Sequence, residues 1–396
     1  MKLLLLHNRY QLAGGEDRVV QAEKRLLEAN GHEVLLLEEN NQSIIGSWGN
    51  FVAARSAIYS FASRQKVGAA IETFSPDIVH VHNFFPLLSP AIYDACNNAG
   101  VPILQTLHNY RLICPKAMLF RDGKICENCV GKVPLPSIIH GCYRNSHLQT
   151  SAVAAMIFFH WLRGTWQERV NAYISLTNFQ KDKMVQAGLP AEKIFIKPNF
   201  VFSPRYTNEK NKSNSYLLFV GRLSEEKGIK TLIDTYIKYD LSIPLKIVGD
   251  GPLRYNLQQK VRNTKADNFV KFLGFQDNEA VLKLMQNAIC LVFPSIWYEA
   301  FPLTIAEAFA SGLPVLASNI GSMAEIIEDG VTGLHFKMGD STSLVEKIKW
   351  VSNHPEIMIS MGKNASNVYN LKYTPKINYQ QLIKIYQQVI KNNRSR

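Results

Sequence analysis

The chain is 396 residues long, 46% hydrophobic and 19% charged, a balance too apolar for disorder and long enough for roughly two or three domains. Its 44 Lys and Arg outnumber 32 Asp and Glu, and the net charge of +12 calls for an anionic partner: nucleic acid, an anionic membrane face or a phosphorylated substrate. Residues 1–6 are too short an apolar run for a signal peptide, and residues 152–162 are interrupted by His160 and fall short of the ~20 residues that span a bilayer. The expected location is the cytoplasm, free or peripheral on the inner face of the cell membrane.

Residues 2–6 read as a buried strand and residues 7–15 as a loop ending in Gly14-Gly15. A helix over 16–30 follows, with Val19, Val20, Ala22, Leu26 and Leu27 on its apolar side and Gly31 as its stop, and then a strand over 33–37. This is a β-loop-α-β unit whose glycine pair lets backbone approach a ligand, without the G-x-G-x-x-G dinucleotide fingerprint; a packing role for the pair is the alternative. Residues 40–70 are helix-prone and mix Trp48, Phe51, Ile58, Tyr59 and Phe61 with Arg55, Arg64 and Lys66. The pattern suits either a core-facing helix or a basic segment lying on an anionic membrane.

Strands over 77–83 and 102–107 end in His82-Asn83 and in His108-Asn109-Tyr110-Arg111. Open parallel sheets bind ligands beyond the carboxyl ends of their strands, so these polar ends are functional candidates. An insert near 110–145 carries Cys114, Cys126, Cys129 and Cys142, spaced C-x11-C-x2-C-x12-C. In a reducing compartment the C-x2-C core suggests a structural zinc, with unligated thiols as the alternative; Cys96 and Cys290 sit in apolar settings as core thiols. A helix over 148–167, a strand over 172–176 and a helix from Asn178 complete this half, and residues 194–202, with Pro198-Asn199, lead out of it. Residues 208–214 are polar throughout and read as a linker.

A second α/β run starts with a strand over 216–220, then Gly221-Arg222-Leu223 and Lys227-Gly228. Arg222 and Lys227 fall between a strand end and a helix start, where cations can neutralise a diphosphate. Further strands are expected over 245–248, 269–273, 288–293, 314–317 and 333–336, with Gly249-Asp250-Gly251-Pro252 closing the first of them. Helical segments between most pairs imply a parallel sheet. Final helices are expected near 344–353 and 379–391. After the strand over 288–293 comes Glu299, then Ala300, Phe301, Pro302 in a first helical turn, Leu303, and Glu307 one turn on. Free amides at a helix start make a seat for phosphate, and two carboxylates bracketing it describe a nucleotide-sugar site. Taken alone, a solvated pair in any α/β protein explains the two glutamates.

The ordered series Gly221-Arg222-Leu223, Lys227-Gly228, Gly249 to Pro252, Glu299 with Glu307, Gly312-Leu313-Pro314-Val315 and Gly333-Leu334 resembles family 4 glycosyltransferases. Gly14-Gly15, residues 77–83 and His108 look like that family more loosely, and His108 to Arg111 with the cysteines resembles a bacterial subgroup making surface polysaccharides. The resemblance implies the GT-B fold: α/β, two doubly wound Rossmann-like parallel-sheet domains facing across a cleft. The expected division is 1–204 for acceptor binding, 205–372 for donor binding and 373–396 as a C-terminal helix that packs back on the first domain or stands apart. It further implies a retaining transferase moving a hexose from a nucleotide-diphosphate sugar to a saccharide or lipid-linked acceptor.

By the same resemblance Arg222 and Lys227 hold the donor diphosphate and Glu307 the ribose. Glu299 and the amides of Ala300, Phe301 and Leu303 hold the donor sugar and diphosphate, alongside Gly249. Gly15 faces the transferred sugar, and His108 lines the reaction centre with Glu299. No Asp-x-Asp pair is present, so no catalytic metal or other cofactor is expected. A nucleotide-sugar epimerase, or a non-catalytic carbohydrate- or anion-binding protein, is the alternative. No nucleic-acid motif appears.

Overall fold

The computed structural model describes residues 1–9, 14–41, 56–203 and 216–395. They form two compact units, one from Met1–Leu119, Cys126–Asn199 and Asn378–Arg396 and one from Phe120–Ile125 and Phe200–Ile377. Trp48, Phe51, Arg55 and the linker over 208–214 lie outside the described residues.

In the first unit β1 (Lys2–Arg9) leads through α1 (Gly15–Ala29) to β2 (Glu33–Asn40). Then come α2 (Phe61–Phe74), β3 (Ile78–Asn83), α3 (Ala91–Asn98) and β4 (Ile103–Thr106). A two-residue-per-strand hairpin, β5 (Phe120–Arg121) with β6 (Lys124–Ile125), interrupts the unit; α4 (Leu135–Ile139), α5 (His147–Leu162), β7 (Ala172–Ser175), α6 (Asn178–Gln186) and β8 (Ile194–Ile196) complete its sheet layer. The sheet order is β2-β1-β3-β4-β7-β8, every pair parallel. Leu3, Leu4, Leu5 and Leu6 are fully buried, because an inner strand of such a sheet is covered on both faces and alternation disappears.

The second unit runs β9 (Leu217–Val220), α7 (Ile229–Lys238), β10 (Leu245–Val248), α8 (Arg254–Val261), β11 (Val270–Gly274), α9 (Asn278–Gln286) and β12 (Cys290–Phe293). It continues α10 (Leu303–Ala310), β13 (Val315–Ser318), α11 (Gly321–Ile326), β14 (Gly333–Phe336), α12 (Ser341–Asn353) and α13 (Pro355–Lys372). The order here is β11-β10-β9-β12-β13-β14, again all parallel. A last helix, α14 (Pro375–Arg394), supplies Asn378 onward to the first unit. Each sheet reverses its strand order once, at β1/β3 and at β9/β12, and the crevice outside such a reversal is where doubly wound sheets take ligands.

Two local expectations are corrected. The helix over 148–167 stops at Leu162: Gly164 takes a left-handed φ of 67°, and a π-turn over Thr165–Arg169 replaces the last turn. Pro302 is the N-cap of α10, with extended ψ of 101°, and not a residue of its first turn.

Candidate active site

In the second unit the loops after β9 and β12 are adjacent strand ends bonded to one another. The amide of Ile296 and the hydroxyl of Ser295 donate to the Glu226 carbonyl, at 2.9 and 3.2 Å. Gly228, at φ 66°, lets them touch; a Cβ there would lie 1.7 Å from the Pro294 carbonyl oxygen. Gly249, at φ 127°, is equally constrained, its Cβ position being 2.0 Å from the Gly221 carbonyl oxygen. No side chain fits at either place, so the loops after β12 and β10 are each held against the loop after β9 by backbone packing.

Glu299 lies at the centre of this contact, only 6% exposed. Its Oε1 accepts from Lys227 Nζ at 2.7 Å, Ser295 Oγ at 2.9 Å and Trp297 Nε1 at 2.9 Å. Among the described residues nothing donates to Oε2, which leaves that oxygen for a ligand hydroxyl. The Lys227 ammonium also lies over the Trp297 and Phe293 rings, 5.5 and 5.8 Å from their centroids. Ser322 of α11 donates to the carbonyls of Glu299 and Ala300, at 2.7 and 3.2 Å. That pins the backbone, and among the described residues the amides of Ala300, Phe301 and Leu303 find no hydrogen-bond acceptor. Three orphan donors at a helix start are an anion seat. Glu307 is buried in the second turn of α10 at 7% exposure, while Arg222 is exposed and pairs with no described carboxylate.

In the first unit the carboxyl ends of β1, β3 and β4 carry His7, His82 and His108. His7 Nε2 meets Asp17 Oδ1 at 2.8 Å, and the other Asp17 oxygen accepts from the Gly14 amide at 2.7 Å, fixing the entry to α1. Gly15 is the exposed first residue of that helix. His82 Nδ1 lies 3.0 Å from His108 Nε2. His108 is half-buried and borders a small polar recess with Asn83, Thr106, Asn109 and Arg111. Burial, then the neighbouring His82, hold the His108 pKa well below the ordinary histidine value. Burial and His80 bring His82 down to about 4, against the opposing pull of Glu23.

Behind these rings sits a charge cluster that pattern reading passes over. Glu23 of α1 is 1% exposed; its Oε1 lies 3.2 Å from His80 Nδ1 and 3.4 Å from His82 Nε2, and its Oε2 lies 3.3 Å from Lys197 Nζ. Lys197 also donates to Asn378 Oδ1 at 3.1 Å, and Tyr386 Oη meets His80 Nδ1 at 2.8 Å. Burial would raise the Glu23 pKa, but Lys197 and the two imidazoles outweigh it and hold the carboxyl well below the usual range. The available signal was Glu23 standing on the apolar side of α1, among Val19, Val20 and Leu27.

No disulfide joins the four insert cysteines, which are partly exposed. Burial, then the neighbouring Cys114, Cys126 and Cys142, push the Cys129 thiol up to about 11. Their sulfurs are not at ligand spacing; among the described residues only Glu23, His80 and His82 bring three donor atoms within 4.8 Å of one another. Cys96 and Cys290 are core thiols, raised to about 12 by burial. In the segment that suits either a core-facing helix or a membrane-lying one, Tyr59 donates to Asp94 at 2.8 Å, which ties it into the unit, and Lys66 pairs with Glu39 at the surface.

Two family models divide the chain between them. One described as Glycosyltransferase Family 4 matches residues 13–202, and one described as Glycosyl transferases group 1 matches residues 204–368. The chain belongs to the family 4 glycosyltransferases. Among curated relatives, it is 28% identical over 188 residues to an N-acetyl-alpha-D-glucosaminyl L-malate synthase of Bacillus anthracis, covering 47% of this chain and 48% of that one. It is 33% identical over 161 residues to the D-rhamnosyltransferase WbpZ of Pseudomonas aeruginosa, covering 40% and 42%. The chain thus spans about half the length of these relatives. The crystal structure of Anabaena Alr3699/HepE in complex with UDP superposes with a TM-score of 0.67 at 19% identity, over 100% of both chains, so the two share the GT-B fold.

Proposed function

We propose that this family 4 member transfers a hexose-type sugar, with retention, from a nucleotide-diphosphate sugar to a saccharide or lipid-linked acceptor in surface-polysaccharide synthesis. The observation that carries the reading is the Lys227–Glu299 pair set against the unpartnered amides of Ala300, Phe301 and Leu303. Glycosyl transfer releases a nucleoside diphosphate, and cations with helix-start amides stabilise the charge that develops on it. Lys227, exposed Arg222 and the amides take the diphosphate; Glu307 takes the ribose, Glu299 Oε2 a hydroxyl of the donor sugar. Gly249 keeps the neighbouring strand end close, and Gly15 and His108 belong to the sugar and acceptor side. A UDP complex of a structural neighbour and two sugar-transferring relatives agree with this donor class.

The proposed transfer needs no metal, since Arg222, Lys227 and the amides supply the countercharge. Cys114, Cys126, Cys129 and Cys142 are proposed to hold a structural zinc, which would draw their sulfurs in to ~2.3 Å from the ion. A lipid-linked acceptor at an anionic membrane face is favoured by an apolar pocket of about 360 Å³ in the first unit, lined by Leu112, Ile113, Val133, Ile157, Phe158 and Trp161. No described helix is long and apolar enough to cross a membrane.

The test is product analysis with a panel of nucleotide sugars and saccharide or lipid-linked acceptors, with and without EDTA, folding being followed in parallel. Transfer that persists in EDTA is expected. Epimerised donor with no glycosylated product would replace this reading with the isomerase.

A further inference from the structure

We propose that Glu23 is a positioning residue: acting through His82, it fixes the tautomer of His108 so that an unprotonated Nδ1 faces the ligand. The inference deepens the reading that places His108 at the reaction centre.

A neutral imidazole carries one N–H, and a carboxylate can only accept. Glu23 Oε1 and His82 Nε2 are sealed from water and, among the described residues, neither has a well-formed hydrogen bond; Oε1 also lies 3.2 Å from His80 Nδ1, whose 2.8 Å partner is Tyr386 Oη. Glu23 Oε1 and His82 Nε2 stand 3.4 Å apart. Two acceptors facing each other in a buried site would repel, so the proton belongs on His82 Nε2. His82 Nδ1 is then a lone pair, and its 3.0 Å contact with His108 Nε2 requires the proton on the latter. Only Nδ1 of His108 is left without a proton. It accepts a hydrogen bond from a hydroxyl and cannot donate one, which selects how a sugar hydroxyl is oriented at the recess.

Lys197 keeps the chain of polarity one-directional. Its ammonium, 3.3 Å from Glu23 Oε2, stabilises the ionised carboxylate from the side away from the histidines. Glu23, His80 and His82 are also close enough to ligate an ion. The ammonium already supplies the countercharge there, and a divalent ion would leave excess positive charge buried.

Long-range proton–nitrogen correlation on histidine-labelled protein reads the tautomer directly, with His108→Gln assigning the signal. The expected result is a protonated Nε2 and bare Nδ1 on both His82 and His108. Glu23→Gln keeps the shape but can donate as well as accept, so His108 should gain Nδ1–H. Turnover should fall about 10- to 100-fold, as for the loss of an orienting partner elsewhere, with the donor KM nearly unchanged. If Glu23→Gln misfolds, the wild-type spectrum alone decides. Nδ1–H on His108 in active wild-type enzyme overturns the assignment and leaves the transferase standing; the assigned tautomer in a protein without transferase activity upholds the assignment and sinks the function. A stoichiometric metal that survives removal of all four insert cysteines would also overturn it.

Discussion

Glu299 divides its two oxygens between scaffold and ligand, and that division sets what each substitution in the donor site should do. Arg222→Ala removes an exposed cation with no described carboxylate partner, so its cost is felt in transfer alone. Losing a contact that strengthens as the leaving group departs costs about 2–4 kcal/mol of transition-state stabilisation. Lys227→Ala should cost at least as much, because it also strips Glu299 Oε1 of its 2.7 Å ion pair. Near-normal turnover of both variants would contradict the diphosphate assignment. The two glutamates part company in binding. Glu307→Ala should weaken affinity for the free nucleotide diphosphate, whereas Glu299→Ala releases the Lys227 ammonium and should spare that affinity while slowing transfer. Titration calorimetry decides it, and equal losses for both defeat the split roles. The placement of Arg222, Lys227 and Glu299 in strand-to-helix loops was legible in the sequence because each is polar at a point where a buried strand gives way to a helix. Glu23 and Lys197 were not, because pattern reading sends charges to solvent and cannot see that two opposite charges 174 positions apart meet in one core.

Among the elements, the inner strands were the most legible, since fully covered parallel strands are unbroken apolar runs that end abruptly in polar loops. Leu217–Val220 and Cys290–Phe293 are such inner runs, inside the strands expected over 216–220 and 288–293. Helix α13 escaped notice because its buried side is Met358, Met361, Gly362, Ala365 and Tyr369, too weakly apolar to stand out. The π-turn at Thr165–Arg169 was hidden for another reason: a glycine stop looks the same whether a turn or a new helix follows. The cysteine insert carries the prediction at this scale. Bound zinc keeps thiolates, and an isolated half-buried thiol at about 11 stays protonated, so metal and proton compete for the same sulfurs. Purified protein should hold about one zinc per chain, and Cys129→Ser should lose it and lower the melting temperature. A zinc-free protein whose stability is indifferent to both chelator and Cys129→Ser would mean four ordinary thiols.

For the molecule as a whole, charge acts on stability and on location. His82 falls to about 4 in the fold from its ordinary 6.5, so below that ordinary value the unfolded chain takes up a proton that the folded chain refuses. Stability therefore drops as pH falls from about 6.5 to about 4, by about 3 kcal/mol from this group. Glu23 and Asp94 are both held below the carboxylate range against the raising effect of burial, by Lys197 for the one and chiefly by Tyr59, Arg163 and Arg169 for the other. Their contribution is present above the unfolded carboxylate value and is lost at still lower pH. Denaturant midpoints should thus decline in the mildly acidic range before the carboxylates titrate, and a flat profile between about pH 7 and about pH 5 would contradict the buried neutral histidine. Membrane contact, which the proposed lipid-linked acceptor would entail, is expected where apolar surface and excess cations coincide. Of the cations Arg55, Arg64 and Lys66, the first lies outside the described residues, and Lys66 pairs with Glu39 at the surface. Exposed apolar side chains also occur in the insert and α5: Leu135 at 59%, Ile139 at 71%, Leu148 at 78%, Trp161 at 46% and Leu162 at 63%. No Asp or Glu occurs between Glu127 and Glu168, while Lys132, Arg144 and Arg163 do. An acid-free segment with protruding Leu, Ile and Trp suits an anionic bilayer surface, where each cation near the lipid is worth about 1 kcal/mol and the apolar tips enter the headgroup boundary. Co-sedimentation with anionic vesicles should fall as salt rises, and Ile139→Ser with Leu162→Ser should weaken it while transfer to a water-soluble acceptor stays unchanged. Equal binding to neutral and anionic vesicles, or none to either, would make the insert an apolar face for something other than lipid and leave the donor site as described.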